Sequence, residues 1–285
     1  MLKYPHAKLS ARSLDQFYTN RSIVPLLIKE VEFFAQKRLK LNNSFSATQW
    51  LEPSAGDGAF LDFLPNHSIG LDLEPASPNV IKTDFLLWSI NDNDPQKNKQ
   101  WIVIGNPPFG KNSSLAIKFF NHAAIFADII SFIVPRTFEK ISVQNRLNQN
   151  FFLEKEIVID PNSFIFEGNN VSVPCVFQIW SRFPKNKIRL KINHPKTHVD
   201  FQTIKDLNKA DFAFQRVGAQ AGKVKDMTSK SISPSSHHFI YVVDRKNIKN
   251  VRKKFESIDF SLVKSRTAGN PSISLTELIL LYSEI

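Results

Sequence analysis

Trp101-Ile102-Val103-Ile104-Gly105-Asn106-Pro107-Pro108-Phe109 decides the fold. Its first five residues read as a buried strand, and its last four as a rigid edge where that strand ends. Two consecutive prolines fix φ and remove two backbone donors, so the segment offers carbonyl oxygens without matching N–H groups. The carboxamide oxygen of Asn106 and the carbonyl of Pro107 can each accept a hydrogen bond from an NH2 group. The ring of Phe109 offers a face on which a planar group can stack.

Outward from this strand, short apolar runs alternate with helical stretches. Strands are expected over Thr48 to Leu51, Ser68 to Leu73, Val80 to Lys82, Trp101 to Ile104, Ile129 to Val134, Glu156 to Ile159 and Pro174 to Trp180. Between and before them, Ser22 to Lys40, Ser114 to Phe126 and Ser142 to Asn150 read as helices. The first carries Ile23, Leu26, Leu27, Val31, Phe34 and Leu39 near helical spacing, with Pro25 in its first turn. This alternation predicts an α/β fold: a doubly wound, mostly parallel, seven-stranded Rossmann-like sheet with helices on both faces. Such sheets bind ligands beyond the carboxyl ends of their strands, where the polar motifs of this chain fall.

Leu51-Glu-Pro-Ser-Ala-Gly-Asp-Gly-Ala-Phe-Leu61 is a strand end, a glycine-bearing turn and a helix start. Gly56 and Gly58 allow a close backbone approach, while Glu52 and Asp57 place acids there, an arrangement suited to a cationic ligand rather than a diphosphate. A tight turn alone would carry the same glycines. The next strand ends in Asp72, followed by Glu74; an acid at that tip is how doubly wound folds hold ribose hydroxyls, and Asp72 is the first choice. Asp84-Phe85 follows, either an acceptor for an adenine amino group beside a ring that can stack on the base, or a loop carboxylate and a core aromatic.

Taken in order, these motifs resemble the S-adenosyl-L-methionine-dependent amino-methyltransferases that act on adenine N6. The closer likeness is to the gamma arrangement of DNA adenine methyltransferases, in which the cofactor half precedes an NPPY or NPPF motif and a target-recognition region follows. The resemblance spans residues ~14 to 181 and implies the following roles. Asp15-Gln-Phe17-Tyr-Thr19 would touch the methionine end of the cofactor, through Phe17 and Thr19. Glu52, Pro53, Ser54, Gly56 and Gly58 would form the glycine-rich cofactor turn, Asp72 would hold the ribose, and Asp84 and Phe85 the adenine. Asn106, Pro107, Pro108 and Phe109 would be the catalytic tetrapeptide, with Asn106 also beside the cofactor. Phe166, with Phe164 in reserve, would stack on the target base opposite Phe109. The implied reaction is direct methyl transfer to a flipped-out adenine, giving N6-methyladenine in DNA. Because NPPF also occurs in methyltransferases of ribosomal and small nuclear RNA, an RNA substrate is the alternative. A protein glutamine methyltransferase and a catalytically inactive nucleic-acid-binding relative follow. No metal is expected.

Charge supports a polyanionic partner. The chain of 285 residues carries a net +11, and the excess is confined to residues 182 to 285, with 20 Lys plus Arg against 9 Asp plus Glu. A segment with this surplus is the footprint of a phosphate-binding surface. The boundary is expected near residue 183, giving a catalytic domain over 1–182 and a basic recognition region over 183–285. Within the latter, Phe214-Gln-Arg216-Val-Gly218-Ala-Gln-Ala-Gly222-Lys223 reads as a backbone-gripping loop or an ordinary turn, with Arg216 and Lys223 as phosphate contacts. His237-His238 read as part of a Ser-rich loop, and Cys175, the single cysteine, as a small buried residue in a strand. The longest apolar region, Ile117 to Val134, is broken by Lys118, Asn121, His122 and Asp128, so no membrane span is expected. The N-terminus lacks the apolar core of a signal peptide, and a cytoplasmic location is expected.

Overall fold

The structure is a computed structural model that describes residues 18–41, 45, 47–91, 95–166, 169–184, 187–267 and 269–285. It divides into two compact units: Met1–Phe138 with Val143–Lys191, and Glu139–Ser142 with Ile192–Ile285.

In the first unit the elements are β1 (Tyr18–Thr19), α1 (Val24–Leu39), β2 (Thr48–Glu52), β3 (Ile69–Asp72), β4 (Ile81–Lys82), β5 (Gln100–Gly105), α2 (Ser114–Ala123) and β6 (Ile129–Pro135). After the one-turn helix α3 (Ile141–Gln144) come β7 (Phe152–Val158), β8 (Phe164–Phe166), β9 (Asn169–Val171) and β10 (Cys175–Ser181). Seven strands form one sheet in the order β4-β3-β2-β5-β6-β10-β7. All neighbours are parallel except β10, which runs antiparallel to both β6 and β7. This is the doubly wound Rossmann-like sheet expected from the sequence.

Period-two alternation explains how one sheet serves two cores. In β5, Trp101 and Val103 pack on one side with α2, while Ile102 and Ile104 pack on the other with α1. In β10, Val176 and Trp180 face the first side, and Cys175, Phe177 and Ile179 the second. The buried stripe of α1 is Val24, Leu27, Ile28, Val31, Ala35 and Leu39, so Leu26, expected inside, is 62% exposed instead.

Two expected helices are curtailed for local reasons. After the glycine turn there is only a 3-10 turn over Leu61–Phe63, because Pro65 forces Leu64 into an extended conformation (ψ 164°). The expected helix to Asn150 stops at Gln144. Beyond it, the Asn148 side chain accepts from the Asn150 amide (2.9 Å), a local bond that competes with helix. A feature the sequence did not announce is the small antiparallel sheet β1-β8-β9.

The second unit is a four-stranded antiparallel sheet of β11 (Phe201–Ile204), β12 (Phe212–Gln215), β13 (Val224–Lys225) and β14 (His237–Val242), in the order β11-β14-β12-β13. Helices α4 (Ile248–Ser257), α5 (Ser261–Lys264) and α6 (Leu275–Glu284) complete its core around Phe201, Phe212, Phe214, Phe255 and Tyr282. Helix α6 opens on a capping box, with Ser274 and Glu277 satisfying one another's backbone amides. His237 and His238 open β14 opposite Gln215 and Phe214 rather than lying in a loop. Among the described residues no helix is long and apolar enough to cross a membrane.

Candidate active site at the carboxyl ends of β2 and β5

Strand order reverses between β2 and β5: the chain moves outward from β2 to β3 and β4, then returns to β5 on the opposite side. A crevice at such a switch point is where doubly wound sheets take ligands. Pairing of Leu51 with Val103 sets the two strand ends side by side, so Glu52-Pro53-Ser54 leaves the sheet next to Gly105-Asn106. The contact is close. A Cβ on Gly105, whose φ is +155°, would lie 3.3 Å from Glu52 Cγ and 3.4 Å from Pro53 Cδ. Ser54 Oγ donates to the Asn106 carbonyl at 3.0 Å, tying the glycine turn to the tetrapeptide.

The turn is braced from below and from the side. Glu52 is buried under it and accepts the backbone amides of Leu61 (2.8 Å) and Phe60. Burial holds its carboxyl well above the usual carboxylate range, the two amides oppose this, and Asp57 and Asp62 reinforce it. Glu52 thus holds the turn's shape, where the sequence suggested an acid facing the ligand. Gly56, at φ +50°, donates its amide to Asp72 Oδ2 (2.8 Å), and a Cβ there would stand 3.0 Å from the Tyr18 ring. Gly58 sits at φ +83°. Both positions need glycine on conformational grounds. The second oxygen of Asp72 accepts from Glu74 N at 2.8 Å, and its own carbonyl accepts from Thr83 N at 2.8 Å, bringing the segment of Asp84 alongside. Asp84 Oδ1 accepts from Leu86 N (2.8 Å).

Phe85 takes the core-aromatic alternative and not the adenine-stacking role that the resemblance implies. Its ring is 2% exposed and packs against Phe119, edge-on against His122, and near Phe126. It lies in the core beneath Asp84, with no open face for stacking on a base. The aromatic surroundings of this segment, not the dipeptide alone, decide its fate.

Arg21 is a participant the sequence reading missed. Its guanidinium pairs with Asp62 and donates to the Asp57 carbonyl at 2.9 Å, closing over the glycine turn. The Asp62 bond raises the guanidinium above its ordinary pKa. The available signal was the run of acids between Glu52 and Glu74 with no cation inside it. Thr19, two residues earlier, is 5% exposed and accepts from Asn106 Nδ2 at 3.2 Å. Phe17 lies outside the described residues.

In the tetrapeptide, Pro107 is buried and Asn106, Pro108 and Phe109 are half-buried, with Phe109 packed against the α1-side core. The Phe109 carbonyl accepts from the amides of Leu115 (3.1 Å) and Ala116 (3.3 Å), which anchors the loop to α2. The loop between is strained: Gly110 (φ +65°), Asn112 (+53°) and Ser113 (+59°) are left-handed, two of them without the licence of glycine. Strain of this kind costs about 1–3 kcal/mol per residue and concentrates at functional sites. Phe164 is wholly buried in the α1-side core, which removes the reserve stacking candidate. Phe166 is placed in β8 by its backbone, its side chain lying outside the description.

The geometry fits S-adenosyl-L-methionine. The turn itself is shaped by Gly56 and Gly58, at φ +50° and +83°, with the Tyr18 ring seated where a Gly56 Cβ would stand. Each oxygen of Asp72 holds one amide and keeps a lone pair for a hydroxyl. Asp72 and Glu74, with Asp57 and Asp62 partly offset by Arg21, leave a net acidic surround that suits a sulfonium and an ammonium. No group of three His, Cys, Asp or Glu side chains among the described residues could hold a metal ion. Cys175 is buried, and burial pushes its thiol up, away from reactivity.

In the second unit, the loop with Arg216 and Lys223 is the hairpin between β12 and β13. Gln215 N donates to Lys223 O at 2.8 Å, and Gly222 N donates to Gln215 O at 2.8 Å. Gly218 and Gly222 are at φ +98° and +100°, and a Cβ on Gly222 would lie 3.0 Å from the Phe260 ring. Arg216 Nη2 donates to Ser235 O at 2.7 Å; Lys223 is exposed. His238, beside Arg216, is pushed down to about 4, chiefly by burial and further by that guanidinium.

No family model and no curated protein matches the chain. Among solved structures it is similar to PH1948 from Pyrococcus horikoshii, described as a candidate RNA methyltransferase, at 16% identity and TM-score 0.43 over 61% of this chain and 91% of that one. It is also similar to the 23S rRNA methyltransferase ErmE (14%, 0.35, 57% and 70%). A third is MmeI, a Type IIL restriction-modification enzyme in complex with DNA (10%, 0.39, 70% and 42%). At identities of 10% to 16% the reading of the site rests on this chain's own residues.

Proposed function

We propose that this chain transfers a methyl group from S-adenosyl-L-methionine to the N6 amino group of an adenine in DNA. The observation that carries the reading is the junction at the switch point: Ser54 holds the backbone of Asn106, Thr19 holds its carboxamide, and both stand beside the acid-ringed glycine turn. A cofactor turn and an amine-accepting edge meet there.

Pro53, Ser54, Gly56, Gly58 and Asp72, with Asp84 at the adenine, would hold the cofactor over the buried support of Glu52. The cofactor would supply an electrophilic methyl on its sulfonium. The chain's own residues bind and orient the nucleophile. The Asn106 carboxamide oxygen and the Pro107 carbonyl would take the two N6 hydrogens. That arrangement would leave the nitrogen lone pair free to take the methyl group that the cofactor would supply, and the displaced N6 proton would pass to solvent. Phe109 and Phe166 would sandwich the flipped base, each stack offsetting about 1–3 kcal/mol of the extrusion cost. Positioning supplies most of the catalysis. The basic region over 183–285 would recognise the polymer, with Arg216 and Lys223 on phosphates.

The second reading is RNA as the polymer, favoured by Phe at position 109. Asn106→Ala tests the assignment: methyl transfer is lost while cofactor affinity, measured by calorimetry, stays within about twofold. Retained turnover would sink the catalytic role of the tetrapeptide.

A further inference from the structure

We propose that the outward face of α4 grips the backbone of a nucleic acid through Lys246, Lys249 and Lys253; this rests on the polymer half of the proposed function and does not depend on the methyl transfer. Packing fixes the direction of that face. Helix α4 buries Val251 and Phe255 in the core of the second unit, with Ile248 half-buried beside them. At about 100° per residue, Lys249 and Lys253 fall on the opposite side, and Lys246, on the 3-10 turn Arg245–Asn247, leads into it. All three are exposed.

Pairing within the unit leaves this stripe uncompensated. The neighbouring cations are engaged by the fold: Arg245 forks onto Asp211 (2.6 and 2.7 Å), Arg252 bonds Glu256 at 2.9 Å and pairs with Asp226, and Lys254 lies over the Tyr282 ring at 4.1 Å. Asp244, the nearest acid in sequence, is committed to the Lys246 amide (3.0 Å) and to Asn247 Nδ2 (2.7 Å). Among the described residues no carboxylate pairs with the ammonium of Lys246, Lys249 or Lys253. Helix stability does not account for the first two, since the macrodipole disfavours cations near the amino end.

Three cations in a row along one helix face match a row of phosphates. From Lys246 to Lys253 the axis advances about 10–11 Å, close to three steps of about 3.4 Å along one nucleic-acid strand. An acidic membrane surface fits less well, because an interfacial helix needs a free apolar face and that of α4 lies inside the core. Phosphate contacts position a polymer without reading its bases, so this face supplies affinity and register rather than a recognition sequence.

Fluorescence anisotropy of the full-length protein with labelled duplex DNA, single-stranded DNA and RNA, in the absence of cofactor, tests this. The triple variant Lys246→Gln, Lys249→Gln, Lys253→Gln removes three charges and keeps good helix formers. Its Kd at about 0.1 M salt should rise about 10- to 100-fold, and the slope of log Kd against log salt should fall by about 2 to 3, at about 0.9 per lost phosphate contact. Lys249→Gln alone should lower the slope by about one. A control triple, Lys196→Gln, Lys205→Gln, Lys230→Gln, removes the same charge from other exposed positions of the unit and should leave the slope within about one of wild type. Equal losses in the two triples would overturn the proposal in favour of a diffuse field. So would a wild-type protein that binds none of the nucleic acids, or that binds phosphatidylserine vesicles in their place. Methyl transfer is read separately. Binding lost in the α4 triple alone, with no turnover in wild type, would refute the reaction and keep this surface; turnover in wild type with unchanged binding in the α4 triple would refute the surface and keep the reaction.

Discussion

Asp72 links the glycine turn to the proposed ribose site, and Asp72→Asn separates its two duties. Each carboxylate oxygen holds one backbone amide, Gly56 N and Glu74 N, both at 2.8 Å. Asparagine retains one oxygen, so one amide must face an NH2 group. A hydrogen bond to a charged acceptor contributes about 1.5–3 kcal/mol. Asp72 is half-buried, water recovers part of that, and a net loss of about 1–2 kcal/mol is expected. For a unit of this size the thermal midpoint should fall by about 2–8 °C in scanning calorimetry. Loss of the charge also weakens any bond to ribose hydroxyls, so the S-adenosyl-L-methionine dissociation constant, measured by titration calorimetry, should rise about tenfold or more. A midpoint that falls while affinity holds would refute the ribose assignment and leave Asp72 as scaffold. An unchanged midpoint would refute the turn-bracing argument itself.

Gly110→Ala should cost about 2–4 kcal/mol, since φ +65° penalises any side chain and the new Cβ would lie 2.8 Å from Leu115 Cβ and 3.0 Å from its amide nitrogen. Urea denaturation reads this, and a stability within error of wild type would contradict the tight loop closure after Phe109. Glu52 is an acid whose folded pKa lies above its unfolded one. Above the usual carboxylate range the unfolded chain releases the proton while the fold keeps it, so stability should fall with rising pH until the folded pKa is passed. Melting temperatures against pH should show this slope in wild type and not in Glu52→Gln; parallel profiles would mean Glu52 is not the buried acid. His238 works in the opposite sense. Its folded pKa is depressed to about 4, so stability present above about pH 6.5 should drain away as pH falls toward 4. Hydrogen exchange of amides in β14 should report the loss, His238→Leu should flatten it, and acid-insensitive exchange in wild type would refute the burial of that ring.

The sheet was legible because short, nearly continuous apolar runs such as Trp101 to Ile104 and Cys175 to Ile179 suit strands buried on both faces, and they alternate with helical stretches along the chain. The positions of Asn106, Gly56 and Asp72 followed from strand ends, since a strand must stop where Pro107 or Gly56 interrupts it. What escaped were contacts between distant segments. Nothing near Arg21 announces Asp62, nothing near Thr19 announces Asn106, and β1 is two residues long. Phe85 reads as an adenine neighbour until the rings of Phe119 and His122 close on it. Leu26 lies within the apolar spacing of α1 yet faces outward, because packing on the sheet buries Val24, Leu27 and Ile28 instead.

The central claim is tested most directly by incubating the protein with methyl-labelled S-adenosyl-L-methionine and, in parallel, duplex DNA, single-stranded DNA and RNA, followed by nucleoside analysis. The account predicts label in DNA, on N6 of adenine, and none with Asn106→Ala. Label on RNA alone would contradict the DNA assignment, and label on no nucleobase amine would contradict the site.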